Sequence, residues 1–264
     1  MGKVSLDSLR RGPGLSVTSR FQVGQIRADV VDLSGAVERI EALVSAGAGG
    51  AIFTPNVDHV VNAERVPALA RAYARVELSL ADGMPLVWAS RVLGPALPQR
   101  VAGSDLADPL LARAAARGWP VFLLGGRPGA AEKAARELQG RGVTVVGAEG
   151  PPIDADGRVD PAVLERLRGA SAALLLVGLG SPKQELFIDR YRDLLGRTVC
   201  FACGAVIDFL AGELPRAPRW MARSGLEWAY RLGREPRRLW RRYLINDPAF
   251  LRILARDWSA RRFG

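Results

Sequence analysis

At 264 residues, with 48% hydrophobic and 24% charged side chains, the chain has the composition of a soluble globular protein and enough length for a large core. No run approaches the roughly 18 consecutive apolar residues of a membrane-spanning helix, so we do not expect an integral membrane protein. Residues 1–20 lack the apolar segment of a secretory signal and are predicted to be a mobile leader on a cytoplasmic protein.

Short apolar runs alternate with helical patterns from residue 21 to residue 214, which we take as one core domain. An edge strand is predicted at 21–28, followed by a helix that Ser34 would cap. Later strands are predicted to end, in chain order, at residues 54, 81, 124, 146, 177 and 202. This alternation predicts a Rossmann-like α/β fold, with a mostly parallel sheet and flanking helices.

Polar residues follow two of these strands. The sequence T-P-N-V-D-H from Thr54 crowds small polar side chains into a turn, and Asp82 follows the next strand in L-A-D-G-M-P-L. Ligands of open α/β sheets bind outside the carboxyl ends of the strands, which makes Asp82 a candidate acid or base. The alternative is a turn residue or helix cap, because Asp-Gly favours turns and Asp favours helix starts.

Glycine turns follow two further strands. Gly125 and Gly126 open one helix, and G-L-G-S-P-K-Q-E from Gly178 opens another, so backbone amides could bind an anion there. The second turn lacks the third glycine of the dinucleotide fingerprint and the spacing of a P-loop, but a nucleotide diphosphate remains allowed. Asp208, about one helical turn beyond the last strand, is either an acceptor for ribose or base, or a surface aspartate.

Neither the cysteines nor the acidic pairs predict a metal site. Cys200 and Cys203 lie in an apolar strand pattern, and with a single histidine in the chain we expect buried thiols rather than a zinc site. Asp154 and Asp156 form a D-x-D pair like that of many metal-dependent glycosyltransferases, but no third ligand is near in sequence. His59 is expected to pack on or near a helix surface rather than to bind metal.

The net charge of +10 is concentrated at the carboxyl-terminal end. Residues 215–264 contain 13 arginines and 4 acidic residues, a net charge of +9, together with four of the six tryptophans. We predict a basic helical appendage, broken by Gly233 and Pro236 into about three short helices. One-signed charge with aromatics favours an anionic membrane surface. Single-stranded nucleic acid and a solvated helical face are the alternatives.

Six motifs occur in one order between residues 21 and 245. They are T-P-N-V-D-H from Thr54, A-D-G-M-P-L-V from Ala81, R-V-A-G-S-D from Arg100, L-L-G-G from Leu123, G-L-G-S-P-K-Q-E from Gly178 and C-G-A-V-I-D-F-L-A-G from Cys203. Together they resemble the WecG/TagA/CpsF family of glycosyltransferases.

The resemblance implies an inverting transfer of a sugar from a UDP donor to a sugar on an undecaprenyl-diphosphate lipid, at the inner face of the bacterial membrane. In the best-known branches the sugar is N-acetylmannosamine or its uronic acid, and lipid-linked N-acetylglucosamine accepts it. The family is thought to need no D-x-D metal and implies no cofactor. Nucleic acid is not among the implied partners, and the oligomeric state is left open. The alternative function is a nucleotide- or nucleic-acid-binding regulator that uses the basic segment.

The resemblance also assigns roles to residues. Asp82 would be the base, and Arg231, Arg238 and Arg241 match the functional arginines of an appendage that closes the active site at the membrane. The polar positions that match the family's pocket are Thr54, Asn56, Arg100 and Gln184. We add to the substrate-binding set the glycines of the two turns and the acidic residue beyond the last strand, namely Gly125, Gly126, Gly180 and Asp208.

Overall fold

The computed structural model describes residues 19–218, 221, 227–234, 236–241 and 246–263. The predicted leader at 1–20 therefore lies almost entirely outside the described residues. The described chain opens with an antiparallel hairpin, β1 (Arg20–Val23) and β2 (Ile26–Asp29), rather than the single edge strand predicted at 21–28. Gly24, at a φ of +55°, turns the chain between the two strands, because glycine adopts this conformation without steric cost.

Six further strands form one sheet, in the order β4-β3-β8-β7-β5-β6. Their bounds are β3 (Gly50–Phe53), β4 (Leu78–Ser79), β5 (Val121–Gly125), β6 (Val145–Glu149), β7 (Leu174–Gly178) and β8 (Val199–Ala202). Every neighbouring pair is parallel. The prediction of a Rossmann-like α/β fold with a mostly parallel sheet is confirmed.

Helices cover both faces of the sheet, because successive strand residues point to opposite sides. Ile52, Leu123 and Phe201 face one apolar layer, whereas Phe53, Leu124 and Ala202 face the other. The helices of the first layer are α1 (Leu33–Ala46), α5 (Gly103–Arg117), α6 (Ala130–Gly140) and α9 (Val206–Leu210). Those of the second are α2 (Val57–Arg65), α3 (Pro67–Ala74), α4 (Met84–Leu93), α7 (Pro161–Gly169) and α8 (Lys183–Leu195).

Two local predictions in the first part of the chain need correction. Asp32, not Ser34, caps α1, and its Oδ1 accepts a hydrogen bond of 2.8 Å from the backbone N–H of Gly35. The strand predicted to end at Ala81 is assigned only to Leu78–Ser79. Its pairing with the preceding chain continues beyond that point, since Leu80 N donates to Phe53 O at 2.9 Å.

The carboxyl-terminal segment is helical, as predicted. It contains α10 (Glu227–Arg234), α11 (Pro236–Arg241) and α12 (Ala249–Phe263). Gly233 lies within α10, so the prediction that it breaks the helix is wrong, whereas Pro236 begins α11 because its fixed φ suits a first helical position. In the described part of the chain, no helix is long and apolar enough to cross a membrane.

Helix α12 is packed against the core. Phe250 and Ile253 are buried in the same apolar layer as the hairpin. The Oδ2 of Asp257 accepts a hydrogen bond of 2.6 Å from Gly24 N, and Arg256 makes bonds of 2.9 and 3.0 Å to the carboxylate of Glu64. The last helix is therefore held by burial and by charge.

Candidate functional site

The polar residues after β3 and β4 lie side by side. Asp82 N donates a hydrogen bond of 2.7 Å to Pro55 O, so the two strand ends stay in register beyond the sheet. Thr54 is buried, and its Oγ1 lies 3.5 Å from Ala202 O at the end of β8. The loop containing Arg100 joins them, because Val101 N donates to Ala81 O at 2.9 Å.

Asp82 is not a helix cap. Gly83 occupies the position before α4, and no side chain caps that helix. The side chain of Asp82 is 27% exposed at the carboxyl edge of the sheet, and its Oδ1 lies 3.5 Å from Nη1 of Arg100. Arg100 is itself held, since its Nη2 donates to Asp105 at 2.6 Å. The site thus offers an accessible carboxylate beside a guanidinium whose direction is fixed.

Asn56 caps α2 in a reciprocal arrangement. Its Oδ1 accepts from Asp58 N at 3.1 Å and lies 2.8 Å from Nδ1 of His59, while its backbone N lies 3.2 Å from the same Nδ1. The other ring nitrogen of His59, Nε2, lies 3.3 Å from Oε1 of Glu185. His59 is buried, in agreement with the expectation that it packs near a helix surface, and it also contacts the carboxylate of Glu185, which the sequence did not predict.

Glu185 is fully buried at the start of α8. Burial opposes its ionisation, but hydrogen bonds from His59 and Gln184 and the charge of His59 outweigh that effect and lower its pKa. Burial and the nearby carboxylates, Glu185 first among them, raise the pKa of Tyr73 well above its usual value. The ring of Tyr73 packs edge-on against His59, with centroids 6.3 Å apart.

Gln184 connects this cluster to the last strand. Its Nε2 donates to Glu185 Oε1 at 2.8 Å, and its Oε1 accepts from Gly204 N at 3.1 Å. Gly180, at a φ of +73°, lies in the turn that leads from β7 into the same helix. Two of the predicted binding residues, Asn56 and Gln184, are therefore linked by a chain of polar contacts through His59 and Glu185.

The turn after β5 is fixed by backbone and by Asp208. Gly126 N donates to Gly178 O at 2.8 Å, and Arg127 N donates to Asp208 Oδ1 at 2.7 Å. A side chain at Gly125 would place its β-carbon 2.6 Å from Gly178 O, so only glycine fits. Two amides of this turn are thus already bonded, and one oxygen of Asp208 orients the turn.

The sheet order sets the length of the crevice. Three strands separate β4 from β5, so Asp82 and Gly125 follow strands that lie about 19 Å apart at 4.8 Å per strand. A ligand that touches both ends must be extended, as a sugar on a nucleoside diphosphate is.

Of the three appendage arginines, only Arg241 has a described side chain. Arg231 lies in α10, and Arg238 lies in α11, with side chains outside the described part. Arg241 is exposed, and its guanidinium carbon lies 5.7 Å from the ring centroid of Trp240. Their approach to Asp82 stays a prediction.

The other candidate groups have local partners. Asp154 Oδ1 accepts from Arg158 N at 2.7 Å and from Asp156 N at 2.9 Å, and these bonds, led by that of Arg158, lower the pKa of Asp154. The D-x-D pair therefore shapes its own loop. Cys200 and Cys203 are free, buried thiols as predicted, and burial raises the pKa of Cys200 to about 12. Among the described residues, no group of three or more His, Cys, Asp or Glu could hold a metal ion.

The sequence contained a pattern that predicts the contact of His59 with Asn56, but no pattern that predicts its contact with Glu185. The only histidine of the chain lies three residues after Asn56, the spacing of a capping box, which predicts a bond back to the cap. Glu185 meets His59 only through the fold, since the two follow different strands.

A family model matches almost the whole chain. The model described as "Glycosyl transferase WecG/TagA/CpsF family" matches residues 21–263. The match spans every residue of the crevice and continues through α12.

Proposed function

Because the chain belongs to the WecG/TagA/CpsF family of glycosyltransferases, we propose that it transfers a sugar from a UDP-sugar to a sugar on an undecaprenyl-diphosphate lipid, with inversion. The product would enter cell-surface polysaccharide or teichoic acid synthesis. The donor sugar is proposed to be N-acetylmannosamine or a related hexose or uronic acid. The observation that carries the proposal is the accessible Asp82 carboxylate, which is not a cap and lies at the carboxyl edge of the sheet.

Asp82 is proposed as the base of a single displacement. Its carboxylate would take the proton of the acceptor hydroxyl while that oxygen attacks the anomeric carbon. The bond from that carbon to the diphosphate breaks on the opposite face, and UDP leaves. A positioned base of this kind contributes about 10² to 10⁴ in rate. Arg100, held by Asp105, would keep the carboxylate correctly directed.

Binding of the donor is proposed to use both ends of the crevice. Thr54, Asn56 and Gln184 would orient the sugar, whereas Gly180 and the turn of Gly125 and Gly126 would allow the diphosphate and nucleoside close to the backbone. Asp208 would act by holding that turn, with its second oxygen available for the nucleoside. Developing charge on UDP would be stabilised by Arg231, Arg238 and Arg241.

The basic appendage is proposed to dock on the inner face of the membrane, where the lipid acceptor lies. The proposed division of the chain is a core domain at 21–214 and an appendage at 215–264. Within the appendage, α12 packs against the core. Exposed aromatics support the proposal, since Trp240 is 43% exposed, Trp258 39% and Phe263 79%. Such rings suit the headgroup region, and each basic residue near an anionic leaflet adds about 1 kcal/mol.

A transfer assay tests the proposal. The full chain is incubated with a panel of UDP-sugars and a short-chain lipid-diphosphate sugar, and the anomeric configuration of the product is read by NMR. We expect transfer with inversion from one or a few donors. Retention of configuration would overturn the single displacement, and no transfer from any UDP-sugar would overturn the donor class. Co-sedimentation with anionic vesicles, compared with a gel shift on single-stranded DNA and RNA, tests the membrane partner.

A further inference from the structure

His59 and Glu185 form a buried pair beneath the crevice. His59 is 6% exposed and Glu185 is 0% exposed, and their nearest polar atoms are 3.3 Å apart. His59 belongs to α2, which follows β3, and Glu185 belongs to α8, which follows β7. Because β8 lies between β3 and β7 in the sheet, the pair joins the first turns of two helices across the strand between them.

Each member of the pair contacts one amide side chain of the proposed binding set. His59 Nδ1 lies 2.8 Å from Oδ1 of Asn56, and Glu185 Oε1 accepts from Nε2 of Gln184 at 2.8 Å. An amide group can be turned either way, and only its hydrogen bonds decide which end points where. Each amide oxygen also accepts from a backbone N–H, that of Asp58 for Asn56 and that of Gly204 for Gln184. The pair and these two backbone groups together define the orientation of both amides.

Stability alone explains this cluster poorly. A buried polar pair adds little compared with apolar side chains of the same volume, because both groups lose their hydration. Glu185 Oε2 and the buried hydroxyl of Tyr73 have no hydrogen-bond partner among the described residues, and each such atom costs free energy. These polar groups lower the stability of the fold and lie at the edge of the sheet where ligands bind. Their presence there therefore indicates a role in function.

We propose that His59 and Glu185 are positioning residues, which hold Asn56 and Gln184 in the orientations that bind the sugar end of the donor. The inference rests on the function proposed above. Neither residue needs to touch the substrate, since each acts through the amide that it contacts.

Single substitutions that keep the shape test the proposal. His59→Gln and Glu185→Gln are expected to lower kcat/KM for the UDP-sugar by about 10- to 100-fold, by analogy with the loss of an outer hydrogen-bond partner of a metal ligand. The loss should lie mostly in KM, because Asp82 and Arg100 are unchanged. Glu41→Gln is the matched control, since Glu41 pairs with Arg113 and Arg117 on α5, near the amino edge of the sheet, and should leave kcat/KM unchanged.

Double variants separate positioning from stability. In an Asn56→Ala background, His59→Gln should cost less than about twofold more, and so should Glu185→Gln in a Gln184→Ala background, because the amide to be positioned is gone. Losses that simply multiply would overturn the inference, since an effect on folding alone does not depend on the amides.

A measurement without substrate keeps the test independent of activity. In the full chain, Glu185→Gln should shift the NMR resonances of the Gln184 side-chain amide and of the Gly204 backbone amide, while Glu41→Gln should not. Unchanged resonances would overturn the inference whether or not transfer is seen. Shifted resonances together with a wild-type chain that transfers no sugar would count against the proposed function and leave the positioning role standing.

Discussion

The crevice is built differently at its two ends. After β3 and β4 it consists of side chains, with Asp82 and Arg100 partly accessible and Asn56 held from below by His59. After β5, and in the glycine turn directly after β7, it consists mainly of backbone, with Gly125 too close to Gly178 O for any side chain. The side-chain end can move a proton and distinguish sugars. The backbone end can approach a ligand closely, which suits the diphosphate and nucleoside of a donor.

The contrast predicts that substitution of the proposed base at the side-chain end reduces the rate of transfer, whereas substitution at the backbone end reduces donor binding. The largest effect is expected for Asp82→Asn, which should retain the fold and UDP binding and lose about 10²- to 10⁴-fold in kcat, because the amide cannot take a proton. Kinetics and UDP calorimetry measure the two quantities. Asp105→Asn is the matched control, since it changes the other carboxylate on Arg100 and should cost far less. Near-normal turnover of Asp82→Asn would remove it from the role of base.

A second test concerns the appendage, which belongs to neither end of the crevice. Replacing Arg231, Arg238 and Arg241 by Ala is expected to lower kcat by about 100-fold, since loss of one such charge stabiliser typically costs 10² to 10³. The exposed arginines Arg234 and Arg237 on the same helices provide the control, and their removal should change vesicle binding more than kcat. Equal losses in the two sets would mean that charge, not position, matters. Deleting residues after 215 is a poorer test, because it also removes α12 and its buried Phe250.

At the backbone end, Gly125→Ala is expected to raise KM for the donor by about tenfold or more and to leave kcat within a few-fold. The added β-carbon would lie 2.6 Å from Gly178 O at a φ of +107°, so the turn must move. Gly129→Ala is matched to it, because Gly129 also has a positive φ, +77°, but nothing lies within 4 Å of an added β-carbon. If the two variants raise KM equally, close approach is not what Gly125 provides.

The smallest effect is expected in the pH dependence of folding. The pKa of Glu185 in the folded chain is below its ordinary value of 4.5, so its interactions stabilise the fold above that pH and are lost as the pH falls through the folded-state value. Urea unfolding between about pH 3 and 6 should therefore show a steeper acid limb in the wild-type chain than in Glu185→Gln. Parallel curves would show that this carboxylate is not held ionised by His59 and Gln184.

Much of the fold could be predicted from local pattern. The strand predicted to end at residue 124 is β5 (Val121–Gly125), and the strand predicted to end at residue 202 is β8 (Val199–Ala202). These elements are specified by apolar period, glycine and proline within a few residues. Errors arose where a nearby alternative existed, as at α1, where Asp32 rather than Ser34 provides the cap.

The sequence by itself determined the fold class, the strand ends that carry polar groups and the family, because each depends on short motifs and their order. Only the tertiary structure decided what those groups contact. Asp82 does not cap a helix, and Asp208 accepts a hydrogen bond from the backbone N–H of Arg127 in the turn after β5. His59 contacts Glu185 beneath the crevice. The physical reason is that these contacts join segments that follow different strands of the sheet and are distant along the chain.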